Sequence, residues 1–268
     1  MGARKINRLL VTGAAGTIGQ LIRADLPSLA HHVRLSDVAD LGTAGPSEEI
    51  VPCDLTDTPA LRPLVRGCDA ILHFGGISTE NRADLIHRVN IDATYQLYEA
   101  ARKEGVKRVL FASSNHAIGF HSRETRLTAS SPVRPDSNYG VSKVYGEALA
   151  RLYWDKYGVE TLIVRIGSCF PQPKDRRMMA TWMSAGDMVR LIERMLDVPR
   201  LGCPIVYGVS NNPQSWWDNS ETAYLGWQPQ DSSTQFEHLF ADAAQEDPND
   251  ASVIYQGGTF ASAGHFED

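Results

Sequence analysis

Short apolar runs alternate with longer amphipathic stretches over the first two thirds of the chain. Six of the short runs have the length and composition of strands, namely residues 8–12, 33–36, 50–53, 70–74, 109–113 and 161–166. Several of them are apolar on both faces, as a buried strand requires. Between them, stretches such as residues 85–103 and 139–157 carry apolar side chains at three- and four-residue spacing, which is typical of amphipathic helices. This alternation predicts an α/β fold in which crossover helices cover a parallel sheet.

The last third of the chain has a different pattern. After Ile166 the elements become shorter and are interrupted by prolines at positions 171, 173, 199, 204, 213 and 229. We therefore expect a single domain over residues 1–268. Residues 1–167 form its core, and residues 168–268 form mainly a small C-terminal lobe with some elements that return to the core. A chain of 268 residues with 43% hydrophobic residues is sufficient for such a core.

Charge and cysteine content narrow the function classes. A formal net charge of −6 provides no basic surface for nucleic acid or for an anionic membrane, so neither partner is expected. The cysteines at positions 53, 68, 169 and 203 form no C-x-x-C pair, which argues against both a disulfide framework and a metal site. The N-terminus passes into the first strand without the apolar region of a signal peptide, and no stretch reaches transmembrane length, so a cytoplasmic protein is expected.

A glycine-rich turn joins the first predicted strand to the first predicted helix. Gly13, Gly16 and Gly19 have the spacing G-x-x-G-x-x-G, and Thr17 and Ile18 lie at the start of the helix. Glycine permits a tight turn and a close approach of the backbone to a pyrophosphate, whose charge then faces the N–H groups at the helix N-terminus. The turn predicts a dinucleotide site on a Rossmann-type doubly wound parallel sheet. Glycines that serve only the turn and the helix packing are the alternative.

Carboxylates follow the next two predicted strands. Asp37 follows the second strand, where a carboxylate can accept hydrogen bonds from the ribose hydroxyls of adenosine. It would repel a 2′-phosphate, so we expect NAD rather than NADP. Asp54 and Leu55 follow the third strand, where they could flank the adenine ring. The alternative for Asp54 is the N-cap of a helix before Ala60 and Leu61.

A tyrosine and a lysine share one face of a predicted helix. Tyr139 and Lys143 are one turn apart, and Ser114 stands at the end of the fifth predicted strand. A free tyrosine titrates near pH 10, and a neighbouring ammonium group lowers its pKa and makes it a better base. The pattern indicates a proton-transfer site. A packed tyrosine beside a solvated lysine is the alternative.

The glycine turn, Asp37, Ser114, Tyr139 and Lys143 occur in an order and spacing that resemble the extended short-chain dehydrogenases. The resemblance implies that Ser114 bonds the reacting oxygen, that Tyr139 transfers the proton, and that Lys143 tunes the tyrosine and holds the nicotinamide ribose. It also implies that Asn90 organises the proton relay and contacts the cofactor, with an ordinary helix-surface amide as the alternative. Further expected NAD contacts at strand ends are Phe74, Gly75, Gly76 and Ile166.

Several local strings resemble bacterial uronate dehydrogenases more specifically, and this resemblance runs over nearly the whole chain. The strings are residues 75–78, 113–116, 165–169, 216–219, 225–227 and 256–260. They imply the oxidation of galacturonate or glucuronate at C1 of its ring form, which yields an aldarolactone and NADH. Expected sugar contacts, besides Ser114 and Tyr139, are Ser78, Asn115, His116, Ser168 and Arg177. Lys174 and Arg176 compete with Arg177 for the role of carboxylate partner.

Two other functions stay open at this point. A nucleotide-sugar epimerase or dehydratase uses the same tyrosine and lysine but returns the hydride, and a non-catalytic NAD sensor would bind the dinucleotide alone. Enzymes of the family that act on nucleotide sugars usually have longer C-terminal lobes, whereas about 100 residues follow Ile166 here. By analogy with the family, the helices over residues 85–103 and 139–157 are expected to form a homo-oligomer interface.

Overall fold

The fold is built on one sheet of parallel strands. The computed structural model describes residues 5–242 and 246–265. Within these residues the sheet has seven strands, which are β1 (Ile6–Thr12), β2 (Ala30–Ser36), β3 (Glu48–Ile50), β4 (Ala70–His73), β5 (Arg108–Ser114), β6 (Glu160–Ile166) and β7 (Ile205–Gly208). Their order is β3-β2-β1-β4-β5-β6-β7, and each neighbouring pair is parallel. The strand order reverses between β1 and β4, which is the point where doubly wound sheets bind their ligands.

Helices connect the strands. They are α1 (Thr17–Ile22), α2 (Leu26–Leu29), α3 (Thr58–Val65), α4 (Ala83–Ile86), α5 (Ala93–Glu104), α6 (Asn138–Tyr157), α7 (Met178–Thr181), α8 (Ala185–Asp197), α9 (Ala251–Ile254) and α10 (Thr259–Ser262). A π-helical segment, His87–Asp92, joins α4 to α5. Short 3₁₀ segments cover Arg23–Asp25, Asn115–Ile118, Ser220–Leu225 and Ser233–Phe240.

The two faces of the sheet bury separate apolar clusters. Leu9 and Val11 of β1 pack on one face with side chains of α1 and α8, whereas Leu10 packs on the other face with side chains of α3, α5 and α6. Successive side chains of a strand point to opposite faces, so this division shows that β1 is buried on both sides. The sheet is therefore the middle layer of three, and a ligand is accessible to it at the carboxyl ends of the strands.

The predicted parallel α/β fold is confirmed, with two differences in the elements. Residues 50–53 were expected to form the third strand, but β3 covers Glu48–Ile50. Pro52 has no N–H to donate to a ladder, which ends regular pairing there. The helix expected over residues 85–103 begins earlier, at Ala83, and contains the π-helical segment.

Part of the C-terminal third belongs to the core. β7 pairs with β6, and α8 packs against α1 on one face of the sheet. β7 has only four residues and follows Pro204, so its apolar run is too short to be recognised by periodicity. These are the returning elements that the sequence left unspecified.

All four cysteines are free. Within residues 5–242 and 246–265, no group of three or more His, Cys, Asp or Glu side chains could hold a metal ion. In that same part of the chain, no helix combines the length and the apolar character needed to cross a membrane.

Candidate active site

A cleft of about 960 Å³ opens at the carboxyl ends of the strands. This volume lies at the upper end of the range of roughly 300–1,000 Å³ for ligand sites. Of the residues that the sequence assigned to the site, all except Gly19 and Asn90 line this cleft. Side chains that are far apart in sequence are thus brought to one surface by the parallel strands.

The glycine turn forms the floor of the cleft at the end of β1. Gly13 has a φ of +71°, and a Cβ at this position would lie 2.5 Å from the backbone nitrogen of Gly75. Only glycine allows the two loops to approach this closely. Gly19 is different, because a Cβ there would lie 2.6 Å from the carbonyl oxygen of Ala14. Gly19 therefore serves the packing of α1 on the turn, and the structure places it outside the cleft lining.

Asp37 is held in a fixed orientation at the end of β2. Its Oδ2 accepts a hydrogen bond from the backbone N–H of Ala15 at 2.9 Å, and its Oδ1 accepts one from Ala39 at 3.1 Å. A carboxylate oxygen can accept more than one hydrogen bond, so both oxygens retain capacity for ribose hydroxyls. The carboxylate also ties the glycine turn to β2.

Asp54 forms a turn rather than a helix cap. Its Oδ1 accepts hydrogen bonds from the N–H and the hydroxyl of Thr56, both at 2.8 Å, and these bonds lower the pKa of the Asp54 carboxyl. Helix α3 begins only at Thr58 and has Asp57 at its N-cap position, so the N-cap alternative for Asp54 is wrong. Leu55 packs against Gly75 at the cleft, where a Cβ on the glycine would lie 2.5 Å from its side chain.

Ser114, Tyr139 and Lys143 meet in the middle of the cleft, and all three are buried. Burial raises the pKa of Tyr139 to about 12, and a hydrogen bond with Ser114 acts in the opposite direction. Burial also lowers the pKa of Lys143 to about 8. The Lys143 ammonium nitrogen lies 5.4 Å from the centroid of the Tyr139 ring. The sequence predicted that the lysine would lower the tyrosine pKa, but in the chain alone the desolvation of the phenolate is the larger effect and raises it.

A glutamate that the sequence did not single out holds the first turn of α6. The carboxylate of Glu80 accepts hydrogen bonds from the backbone N–H of Asn138 at 3.1 Å and of Tyr139 at 2.9 Å. Ser137 is the N-cap residue, and its hydroxyl accepts from the N–H of Gly140 at 2.9 Å. These bonds satisfy N–H groups that a helix N-terminus leaves without partners, and they join the loop after β4 to α6, the helix that carries Tyr139 and Lys143.

Asn90 lies behind the cleft rather than in its wall. Its side chain accepts a hydrogen bond from the N–H of Ile77 at 2.8 Å and donates to the carbonyl of Ile77 at 2.9 Å and to Ser142 at 3.1 Å. The alternative of an ordinary surface amide is wrong, because Asn90 is only 4% exposed. The side chain clamps the loop after β4 to α6, while a role in proton relay stays a prediction.

Of the three candidate partners for a substrate carboxylate, Lys174, Arg176 and Arg177, Arg177 is the one that lines the cleft. Its Nε donates to the carbonyl of Gln256 at 2.7 Å. With the Asn115 amide oriented to satisfy both neighbours, its Nδ2 donates to Ile166 O at 3.1 Å and its Oδ1 accepts from Arg177 Nη2 at 2.6 Å. Burial lowers the pKa of the Arg177 guanidinium to about 10. Within the described part of the chain, Arg177 forms no salt bridge.

The other two cations lie outside the cleft wall. The ammonium nitrogen of Lys174 is 3.7 Å from the centroid of the Phe170 ring, and Arg176 donates from Nη2 to the carbonyl of Phe240. Ser78 and Ser168 line the cleft, and the hydroxyl of Ser168 lies 2.9 Å from that of Thr181.

The C-terminal segment supplies cleft residues that sequence reasoning missed. Lining residues from this segment are Glu246, Ser252, Gly257, Thr259 and Phe260, and Arg123 from the loop before α6 also lines the cleft. Phe260 stacks on His116 with ring centroids 3.8 Å apart. The string over residues 256–260 was a signal for this wall, although no role could be assigned to its members from the sequence.

Three features together define a dinucleotide-dependent enzyme. They are the parallel sheet, the glycine turn with the carboxylate of Asp37 beside it, and the serine, tyrosine and lysine that share one cleft. A sequence profile of the NAD dependent epimerase/dehydratase family matches residues 9–186. The chain belongs to this family and, within it, to the uronate dehydrogenases. It is 51% identical over 267 residues to uronate dehydrogenase from Pseudomonas putida strain KT2440, with 99% of this chain and 100% of that protein covered.

Solved structures agree with the sequence comparison. The crystal structure of glucuronic acid dehydrogenase from Chromohalobacter salexigens is similar at a TM-score of 0.97 and 56% identity, with 98% of this chain and 99% of that chain covered. A variant of uronate dehydrogenase from Agrobacterium tumefaciens in complex with NAD is similar at a TM-score of 0.94 and 50% identity, with 97% and 98% covered. The chain is therefore an NAD-dependent oxidoreductase that acts on a CH–OH group, and the cofactor predicted from Asp37 is confirmed as NAD.

Proposed function

We propose that this enzyme oxidises a hexuronic acid, galacturonate or glucuronate or both, at C1 to the aldarolactone. The observation that carries the proposal is the Arg177 guanidinium, which lines the same cleft as Tyr139 and Lys143 and forms no salt bridge in the described part of the chain. The charges of Asp175 and Asp136 act on Arg177 without a direct ion pair. A partly buried cation that lacks a direct anionic partner is costly, and a carboxylate on the substrate would supply that partner. The names of the similar proteins support the same substrate class.

Each polar side chain in the centre of the cleft has a separate role in the reaction. Tyr139 takes the proton of the C1 hydroxyl, and Ser114 holds the oxygen by a hydrogen bond while its bond to C1 becomes a double bond. The ammonium group of Lys143 favours the phenolate form of Tyr139. When bound, oxidised NAD supplies the hydride acceptor at nicotinamide C4 and a positive charge that further favours the phenolate. C1 thus loses a hydride and its hydroxyl loses a proton, which yields the lactone carbonyl.

The remaining cleft residues fit the cofactor along one continuous surface. The pyrophosphate would lie on the turn of Gly13 and Gly16 with Thr17 and Ile18, and the ribose would meet Asp37. The adenine would lie beside Asp54 and Leu55. At the nicotinamide end, the contacts would be Phe74, Gly75, Gly76, Lys143 and Ile166.

An NADH absorbance assay over a substrate panel tests the proposal. The panel contains galacturonate and glucuronate, their neutral parents galactose and glucose, and a nucleotide sugar. We expect NADH from at least one hexuronate, with a kcat/KM at least about a hundredfold above that of its neutral parent, as for the loss of a charged contact. Equal kcat/KM for acid and parent, or conversion of the nucleotide sugar without NADH, would contradict it.

Asp37→Ala should weaken the use of NAD and improve the relative use of NADP. The substitution removes a charged acceptor from the ribose, so KM for NAD should rise about tenfold or more, and it removes the repulsion of a 2′-phosphate. The kcat/KM values for the two cofactors measure the ratio. Asp40→Ala is the matched control, because Asp40 stands three residues further on and lies outside the cleft. An unchanged ratio would show that Asp37 only anchors the glycine turn.

The chain is proposed to form a homo-oligomer through α5 and α6. Tyr95, Val141, Leu152 and Tyr157 on these helices are each at least 41% exposed, which leaves apolar surface for a second copy.

We also infer a cytoplasmic location, because all four cysteines are free thiols, as is usual in a reducing compartment.

A further inference from the structure

A buried carboxylate stands behind the histidine of the cleft wall. The side chain of Asp136 is fully buried, and its Oδ2 lies 2.8 Å from Nδ1 of His116. Its Oδ1 accepts a hydrogen bond from the hydroxyl of Ser137 at 2.9 Å. His116 lines the cleft and Asp136 does not, so the histidine is the hydrogen-bonded link between Asp136 and a bound molecule. The charge of Asp136 also acts to raise the pKa of Tyr139 and of Arg177.

Two glycines form the space that this carboxylate occupies. A Cβ at Gly119 would lie 1.8 Å from Oδ2 of Asp136, and a Cβ at Gly257 would lie 1.9 Å from the same oxygen. The glycines come from distant parts of the chain and are joined by a hydrogen bond of 2.8 Å from Gly257 N to Gly119 O. Any side chain at either position would displace the carboxylate from the histidine.

The imidazole ring is fixed on its other sides as well. Phe260 stacks on one face with ring centroids 3.8 Å apart, and Tyr139 meets the ring edge-on at 5.8 Å. Within the described part of the chain, Nε2 of His116 has no hydrogen-bond partner. Nε2 is therefore the ring nitrogen that remains for a molecule in the cleft.

The chemistry of the pair determines which nitrogen carries hydrogen. A carboxylate can only accept a hydrogen bond, so Nδ1 donates to Asp136. Burial lowers the pKa of His116, and the charge of Arg177 lowers it further. The hydrogen bond with Asp136 and the charges of Asp136 and Glu80 act in the opposite direction. These effects favour the neutral ring, and with the hydrogen on Nδ1 a neutral ring has its lone pair on Nε2.

We propose that Asp136 is a positioning residue that holds His116 in the Nδ1–H form, so that Nε2 accepts a hydrogen bond from a hydroxyl of the sugar ring. The sugar contact rests on the proposed function, whereas the tautomer does not. In the other tautomer Nε2 would be a donor, and the hydroxyl hydrogen would lose its acceptor.

NMR of the full-length enzyme tests the tautomer directly. Two-bond ¹H–¹⁵N correlations of ¹⁵N-labelled protein at pH 7 distinguish the two neutral forms and the cation, and the His116 signals are assigned from a His116→Gln spectrum. We expect Nδ1–H in the wild type and in Asp136→Asn, which keeps an acceptor, and loss of this form in Asp136→Ala. A cation or an Nε2–H ring in the wild type, or an unchanged tautomer in Asp136→Ala, would overturn the proposal.

Kinetics of a double-mutant cycle test whether Asp136 acts through His116. Asp136→Ala should raise KM for the hexuronate roughly tenfold, as for one lost hydrogen bond, with KM for NAD unchanged. The double variant with His116→Ala should be no worse than His116→Ala alone. Additive losses would mean that Asp136 supports the fold instead. A wild type that oxidises no hexuronate would overturn the sugar contact together with the proposed function, while the NMR experiment would still decide the tautomer.

Discussion

Tyr139→Phe should lower kcat by about 10²- to 10⁴-fold, which is the usual cost of losing a general base. The substitution removes only the hydroxyl, and the ring keeps its contacts with His116 and with the side chain of Lys143. The Kd of NAD, measured by quenching of protein fluorescence, should therefore stay close to that of the wild type. Retention of a near-normal kcat would mean that another group accepts the C1 proton.

Tyr145→Phe is the matched control for this experiment. Tyr145 lies on the same helix, α6, six residues further on, and it packs against the apolar core outside the cleft. The same chemical change there should leave kcat within about twofold of the wild type, as for a surface or peripheral substitution.

The pH dependence of kcat/KM tests the contribution of Lys143. We propose that its ammonium group stabilises the Tyr139 phenolate, and burial raises the pKa of Tyr139 to about 12 in the chain alone. Burial lowers the pKa of Lys143 to about 8, so the lysine carries its charge fully only below that pH. In Lys143→Ala the phenol loses this support at the pH values where the lysine is charged, so kcat/KM should fall most below about pH 8 and the rise in rate should move to higher pH. Lys143→Arg, which keeps the charge, should shift the profile less.

The order and spacing of motifs along the chain were sufficient to predict the fold and much of the cleft. Gly13, Asp37 and Tyr139 each lie at or just after the carboxyl end of a strand or in the first turn of a helix, and the parallel topology brings such positions to one edge. A motif that is contiguous in sequence therefore predicted where its side chains would lie. Gly19 shows the limit, because its spacing is that of a phosphate turn while its neighbours make it a packing residue.

Residues that act across long sequence separations could not be predicted in the same way. Glu80 caps a helix that begins 58 residues later, and Asp136 depends on space left by Gly119 and Gly257. No spacing rule connects such residues, since the contact exists only after the loops have folded together. The raised pKa of Tyr139 could not be predicted for a related reason, because the burial that raises it is a property of the folded cleft.

Arg177→Ala should separate the recognition of a uronate from the oxidation of a sugar in general. Two of the N–H groups of Arg177 are used by the Gln256 carbonyl and by Asn115, and a guanidinium has five, so donors remain for an anion in the cleft. The C6 carboxylate is the feature by which a hexuronate differs from its parent sugar. Breaking a buried charge pair costs about 2 to 5 kcal/mol, so kcat/KM for the hexuronate should fall by roughly 10²-fold or more.

The neutral parent aldose is the internal control, because it has no carboxylate to lose a partner. Arg177 also holds the wall of the cleft through Gln256, so truncation lowers the rate on both substrates to the extent that this wall loosens. Arg177→Lys keeps the charge but loses the planar pair of donors, and it should retain part of the preference for the acid. Arg176→Ala changes the neighbouring arginine, which lies outside the cleft, and should leave the preference intact. If Arg177→Ala reduces kcat/KM equally for hexuronate and aldose, the guanidinium supports the wall and does not select the carboxylate.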